Sequence, residues 1–265
     1  MEFMEAVLKR RSYRGQFIDK PISQKDLDII IEAARWSPSP FNIQPWEILI
    51  VTHQESKDAL ADLMRESMAS QMADGRFLQD VSRWMNLSRD EWSRRGEGVM
   101  IDDHMDVPGF IKDKTRLRPL LKNAKNMSFL GKLGLGKIGA AKFVELVRET
   151  PLIIIILMNT QKRSPGENRV TWMLLGMGAF IENILLAATS LDIGTHFINA
   201  PLETQRDREK LRGIFSIPDN YEPVGLLRAG YLLREGEAPA EPLTSVRLKP
   251  ARFVHYEKFK DLEER

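Results

Sequence analysis

Residues 27–52, LDIIIEAARWSPSPFNIQPWEILIVT, pass through three patterns in turn. Leu27, Ile30, Ile31 and Ala34 recur at helical spacing, which gives one apolar face. Upstream, Ser23-Gln24-Lys25-Asp26 has the form of a helix start, with Asp where a capping box usually has Glu. Pro38 and Pro40 end the helix, because the residue before a proline is steered away from helical backbone. The final stretch, WEILIVT, is rich in apolar and β-branched residues and predicts a strand. Between helix and strand lies SPSPFNIQPW, a loop stiffened by proline and supplied with amides at Asn42 and Gln44 and a hydroxyl at Ser39. Such groups can hydrogen-bond the edge of a flat heterocycle between rigid proline walls. They serve equally well in a plain rigid turn whose amides cap nearby backbone.

The remaining chain predicts a mixed helix-and-strand protein. Met4 to Tyr13 predicts a first helix with Val7 and Leu8 facing inward, and Arg10 and Arg14 share a side if that helix extends far enough. Gln54 to Met72 predicts another helix. PLIIIILM after Pro151 is a strand apolar on both faces, as in a sheet covered by helices on each side. Val170–Ser190 is a long apolar helix interrupted by Glu182 and Asn183. These two polar residues argue against a bilayer span and for a buried helix of a soluble protein, with a subunit interface as a second option. GTHFINAP is a short strand-like piece, Glu203 to Ile214 a helix, and LLRAGYLL a further strand. Residues 75–145 are hard to read, with Trp84, Trp92, Met85 and Met100 scattered among charges. Helices mixed with strands, without a repeat or linker, predict one α+β or α/β unit.

Composition removes several function classes. The 265-residue chain has a net charge of +2, which does not favour a nucleic-acid binder. It contains no cysteine, which excludes disulfides, thiolate catalysis and cysteine-ligated metal and suits a cytoplasmic setting. The start has no signal-peptide pattern. Four histidines lie far apart, and Asp102, Asp103, His104 and Asp106 lack the glycine and terminal Glu of a calcium loop, so no metal is expected. The glycines at 131, 134, 136 and 139 have the wrong order for a phosphate-binding P-loop, leaving a surface loop, a lid or a membrane-touching segment. There is no Gly-x-Ser-x-Gly elbow for hydrolysis.

Anion chemistry is concentrated in KRRSYRG. Arg10, Arg11 and Arg14 surround Ser12, and three guanidiniums in one short segment call for a phosphate or for nearby carboxylates. A solvated basic face is the simpler alternative. Arg247 and Lys249 are two apart and point the same way on extended backbone, or else they too are wet surface.

Taken together, RRSYRG, the SPSPFNIQPW loop with its flanking helix and strand, and the later PLIIIILM, MLLGMGAFIENILLAATSLDIGTHFINAP, IFSIPDNYEPVGLLRAGY and RLKPARFVHYEKF resemble the FMN-dependent nitroreductase family. The resemblance covers roughly residues 1–60 and 148–260. It implies an α+β three-layer sandwich with a central mixed, mainly antiparallel sheet flanked by helices. It also implies a single FMN-binding domain over residues 1–265, with residues 61–147 inserted as a helical or loop roof over the active site. A homodimer is implied, its C-terminal arm crossing to the partner and FMN at the interface.

Carried onto this chain, the resemblance assigns Arg10, Ser12 and Arg14, with Arg11, to the FMN phosphate, ribityl chain and pyrimidine edge. Pro38, Ser39 and Asn42, from the other subunit, line the flavin. Arg247 and Lys249 are further phosphate contacts, and Ile198 or Asn199 presents a backbone N–H near flavin N5. Here the chain departs from the family: Pro40 stands where a second Ser is common, and His196, Phe197 and Asn199 replace the usual Trp-Ile-Gly or Pro-x-Glu-Gly. His196 is a possible pocket proton donor or a packing histidine.

The implied activity is ping-pong passage of hydride from NADH or NADPH to FMN and on to a small electron-poor acceptor such as a nitroaromatic or quinone. The same scaffold hosts reductive dehalogenation, enoate reduction and dehydrogenation. A flavin-binding protein without turnover and a membrane-peripheral protein are the alternatives of other classes.

Overall fold

The computed structural model describes residues 1–100, 136–233 and 246–259. The glycine-rich segment up to position 135 and the Asp102–Asp106 cluster lie outside the described residues. The chain divides into two compact units, Met1–Met68 with Ala140–Glu241, and Ala69–Gly139 with Pro242–Arg265.

The first unit is built on a four-stranded antiparallel sheet. Its strands are β1 (Trp46–Val51), β4 (Leu152–Asn159), β5 (Ile193–Ile198) and β6 (Tyr221–Tyr231), in the order β1-β4-β6-β5. The interior strand β4 is continuously buried from Leu152 to Leu157, as its sequence requires. Each of its faces meets a separate cluster. On one, Ile153, Ile155 and Leu226 pack with Leu60 and Met64 of α3 (Gln54–Ala73), Val144 and Val147 of α6 (Gly136–Arg148) and Leu211 of α8 (Gln205–Phe215). On the other, Ile154, Ile156 and Leu227 pack with Ile30 and Ala34 of α2 (Gln24–Arg35) and Met177, Phe180 and Ile184 of α7 (Arg169–Ser190). Helices therefore flank the sheet on both sides, in an α+β arrangement.

α2 begins as its sequence indicates: Ser23 Oγ accepts from the Asp26 amide at 3.1 Å. α7 is the one helix among the described residues long and apolar enough to cross a membrane by length and composition. One of its faces is committed to the sheet, while Trp172, Leu174 and Leu175 stay exposed.

The first helix departs from expectation. α1 spans Phe3–Lys9 and stops four residues short of Tyr13, so Arg10 and Arg14 do not share a helix face. The cause is the sheet. Ser12 forms a parallel bridge with Thr195, and the Tyr13 amide donates to the Thr195 carbonyl at 2.7 Å, which draws the chain out into extended backbone beside β5. Val7 and Leu8, expected to face inward, are exposed, and Ala6 is the buried residue of α1.

In the second unit, the turn from α4 (Gly75–Arg83) leads to a two-residue parallel ladder between β2 (Met85–Asn86) and β3 (Val99–Met100), around α5 (Arg89–Arg95). The Trp92 indole donates to the Gly98 carbonyl at 3.0 Å, and the buried Asn86 amide donates to the Glu97 carbonyl at 3.0 Å. Gly98 has φ +79° and lies against the Trp84 carbonyl, a place for glycine alone. The tail segment at Arg247 and Leu248 packs on Gly96 in this same unit.

Candidate active site

The bridge between Ser12 and Thr195 brings two sequence-distant segments into contact. The arm Arg10–Arg14 runs along the edge strand β5, which ends at Ile198 and leads into Asn199. Ile198 has its side chain in the core, whereas Asn199 is exposed and donates its amide to Glu203 at 2.9 Å. His196 stands opposite Arg228 across the β5–β6 pair.

The arm presents its cations unequally. Arg10 is largely covered, and its Nε lies 3.5 Å from the Glu182 carboxylate of α7. The Arg11 guanidinium turns back onto the end of α1, donating to the carbonyls of Leu8 and Arg10, as expected for a cation at the negative end of a helix. Arg14 is half-buried and Ser12 exposed.

SPSPFNIQPW is a tightly braced loop. The Gln44 amide donates to Ser39 Oγ at 3.0 Å, the Gln44 carboxamide to Asn42 Oδ1 at 3.0 Å, and Lys162 Nζ to the Gln44 carbonyl at 2.9 Å. Phe41, Asn42 and Gln44 all lie in the left-handed region, with φ of 52°, 54° and 50°. Asn tolerates that backbone, but Phe and Gln do so at a cost, a local strain typical of functional loops. The Phe41 ring projects almost fully exposed.

α7 holds this loop on one side and the arm on the other. A Cβ at Gly176 would sit 3.3 Å from the Pro38 carbonyl, so the missing side chain gives the loop its seat. Asn183 donates to the Ser37 hydroxyl at 2.8 Å and to the Ala33 carbonyl at 3.2 Å, while its neighbour Glu182 faces Arg10. In the sequence Glu182 and Asn183 read only as interruptions of an apolar run, although their polarity there is the signal of a polar contact. Arg228 is a charge inside the apolar strand LLRAGYLL, and that break in the pattern is its only mark in the sequence.

Arg228 is fully buried, and desolvation pushes its pKa down to about 10, against the pull of Tyr13 and Glu149. Burial raises the Tyr13 phenol in turn, with Arg228 opposing. Arg247 and Lys249 are exposed and lie in the second compact unit. Among the described residues, no group of three metal-ligating side chains occurs.

A family model, that of the nitroreductase family, matches residues 7–231. The chain belongs to the nitroreductase family. Its class is therefore that of FMN-dependent oxidoreductases. Among curated relatives of this nitroreductase-family protein, 4-nitrobenzoate reductase from Pseudomonas putida is 26% identical over 257 residues, covering 96% of this chain and 95% of the relative. Among solved structures, a nitroreductase with bound FMN from Bacteroides fragilis aligns with a TM-score of 0.53 at 20% identity, covering 97% and 100% of the two chains. A nitroreductase-like protein from Bacillus cereus aligns with a TM-score of 0.55 at 15% identity, over 98% and 97%.

The donor set fits FMN in kind. The arm combines guanidiniums with a hydroxyl for a phosphate and polyol, the braced loop offers amide and proline edges for a flat ring, and Asn199 opens from the end of β5.

Proposed function

We propose that this protein is an NAD(P)H-dependent FMN oxidoreductase that reduces small electron-poor acceptors, nitroaromatics or quinones, by ping-pong exchange in one pocket. The observation that supports it most is the Ser12–Thr195 bridge, which sets the arginine arm against the strand that ends at Ile198 and leads into Asn199. The nearly full-length likeness to a 4-nitrobenzoate reductase favours a nitroaromatic among the acceptors.

In this reading Arg10, Ser12 and Arg14, with Arg11 and the tail residues Arg247 and Lys249, hold phosphate, ribityl chain and pyrimidine edge. Pro38, Ser39 and Asn42 line the ring from the partner subunit of a homodimer, and the backbone N–H at Ile198 or Asn199 orients it at N5. The region at 61–147 selects the acceptor, within one functional domain. The protein acts in the cytoplasm. When bound, FMN would supply the hydride-transfer chemistry between reduced nicotinamide and acceptor. The protein's part is positional and electrostatic: Arg14 stabilises negative charge at the pyrimidine edge, and no side-chain nucleophile is required.

The test is the visible spectrum of the purified protein, chromatography of the released chromophore against FMN, FAD and riboflavin, and steady-state NAD(P)H oxidation with 4-nitrobenzoate and a quinone. FMN together with acceptor-dependent turnover is expected. A colourless protein that also fails to bind added FMN overturns the proposal, and FMN without turnover overturns its catalytic half.

A further inference from the structure

The N-terminal arm is clamped from below by a buried cation. Arg228 of β6 is 1% exposed and faces the core between Ile153 and His196, its register partners on β4 and β5. Its Nη2 donates to the Gly15 carbonyl at 2.7 Å, and its guanidinium lies 4.5 Å from the centre of the Phe17 ring. That ring is seated on a floor without side chains, because Gly194 and Gly230 are themselves register partners. A Cβ at Gly230 would sit 2.5 Å from Phe17 Cγ, and one at Gly194 would sit 3.0 Å from Phe17 Cε1. Above, the Tyr13 ring folds over Gly15, where a Cβ would meet the phenol oxygen at 2.7 Å. The Tyr13 and Ile18 amides then close the segment onto the carbonyls of Thr195 and Tyr231.

Burying an arginine in this way is poor economy for the fold. Its Nε and Nη1 have no hydrogen-bond partner among the described residues. Desolvating a cation with unpaired donors is unfavourable, and an apolar side chain of similar volume is commonly tolerated as well or better. The guanidinium does something no apolar side chain can: it joins a carbonyl and an aromatic face two residues apart on one strand of chain. Gly15 immediately follows Arg14, and Phe17 lies two residues further on.

We propose that Arg228 is a positioning residue that locks Gly15 and Phe17 to the sheet and thereby fixes the aim of Arg10, Ser12 and Arg14. Its effect on cofactor affinity rests on the reading that this arm holds FMN; its effect on the arm does not.

The experiment uses Arg228→Met and Arg228→Lys in the full chain. In the apoprotein, hydrogen exchange at the Tyr13 and Ile18 amides is expected to accelerate about tenfold in Arg228→Met while the β4 and β6 amides keep their protection. Trypsin should cut sooner after Arg14, and the thermal midpoint should not fall. The FMN dissociation constant should rise about tenfold, with Arg228→Lys intermediate because one ammonium can reach the carbonyl but not span both contacts.

Unchanged exchange at Tyr13 and Ile18 overturns the clamp. So does acceleration spread equally through β4 and β6, which would make Arg228 an ordinary part of the core. A loosened arm with unchanged FMN affinity overturns the link to cofactor binding. Failure of the wild type to bind FMN overturns the functional reading and leaves the exchange test standing. If Arg228→Met does not fold, Phe17→Leu removes the ring and leaves the cation in place; the same local acceleration supports the clamp, and its absence overturns it.

Discussion

Glu182 and Asn183 are neighbours on α7, and they hold the two candidate cofactor segments from one point: the Glu182 carboxylate faces Arg10 at 3.5 Å, and the Asn183 amide reaches Ser37 at 2.8 Å. The first contact is an ion pair with one half-exposed partner, so its worth to stability is small. On the proposed reading of the arm its effect on binding has the opposite sign, because the carboxylate would compete with the FMN phosphate for the same guanidinium. Glu182→Gln should therefore tighten FMN binding about threefold and change stability by no more than about 0.5 kcal/mol. Fluorescence titration of the apoprotein with FMN checks this. Weaker binding would mean that the carboxylate aims Arg10 rather than occupying it.

Asn183 is a structural fastener. Its amide satisfies the Ala33 carbonyl at the end of α2 and the buried Ser37 hydroxyl at the start of the loop. Asn183→Ala leaves both without that donor and should cost about 1–2 kcal/mol. Urea unfolding followed by tryptophan fluorescence measures it. The same variant should bind FMN more weakly, since the loop loses its upstream anchor.

Much of the fold was legible because it is written locally. Leu27, Ile30 and Ala34 have one period, the run Ile153–Ile156 has one meaning, and the prolines at 38 and 40 stop a helix wherever they occur. What was illegible depends on pairing. Nothing near Arg10–Tyr13 forbids helix, and the segment is extended only because Thr195, far along the chain, offers a strand edge. Val7 and Leu8 have the spacing of an inward face, yet burial depends on what lies opposite, and α1 turns them outward. The β2–β3 ladder pairs two residues with two, too short for any periodicity to register. Arginine, serine and amide residues at the candidate site could be listed from sequence, whereas Glu182, Asn183 and Arg228 acquire meaning only from what they touch.

Asp26 gives a prediction with a defined pH sign. Hydrogen bonds from Tyr231 and then Ser23 hold its carboxyl below the ordinary value of 3.8. A folded-state pKa below the unfolded one stabilises the fold above the unfolded value and ceases to do so as the pH falls through the folded one. Asp26→Asn should lower the thermal midpoint at pH 7, and the gap from wild type should narrow as the pH falls below about 3.9. Calorimetry at pH 7 and pH 3 reads it; a gap that widens in acid would contradict the assignment.

The exposed apolar residues of α1 and α7 bear on the proposed dimer. Phe3, Met4 and Leu8 of one helix and Trp172, Leu174 and Leu175 of the other are uncovered in a single chain, and apolar exposure on this scale marks an interaction surface. Leu175→Glu should shift the protein from dimer to monomer in light scattering. It should also release FMN, because the proposed ring contacts at Pro38, Ser39 and Asn42 come from the partner. A dimer that survives the charge would move the interface elsewhere.

Arg14 should separate affinity from redox tuning. It is the last cation of the arm, next to the clamped Gly15, and is proposed to face the pyrimidine edge of FMN. A charge-assisted hydrogen bond contributes about 1.5–3 kcal/mol, so Arg14→Ala should raise the FMN dissociation constant roughly 10- to 100-fold. If the guanidinium also stabilises negative charge on the reduced ring, it binds that form better than the oxidised one, and its loss lowers the midpoint potential as well. Arg14→Lys keeps the charge and loses the fork, so affinity should fall more than potential. Equilibrium dye titration of the FMN-saturated variants reads the potential. A weakened affinity with an unchanged potential in Arg14→Ala would assign Arg14 to the phosphate or ribityl chain instead of the pyrimidine.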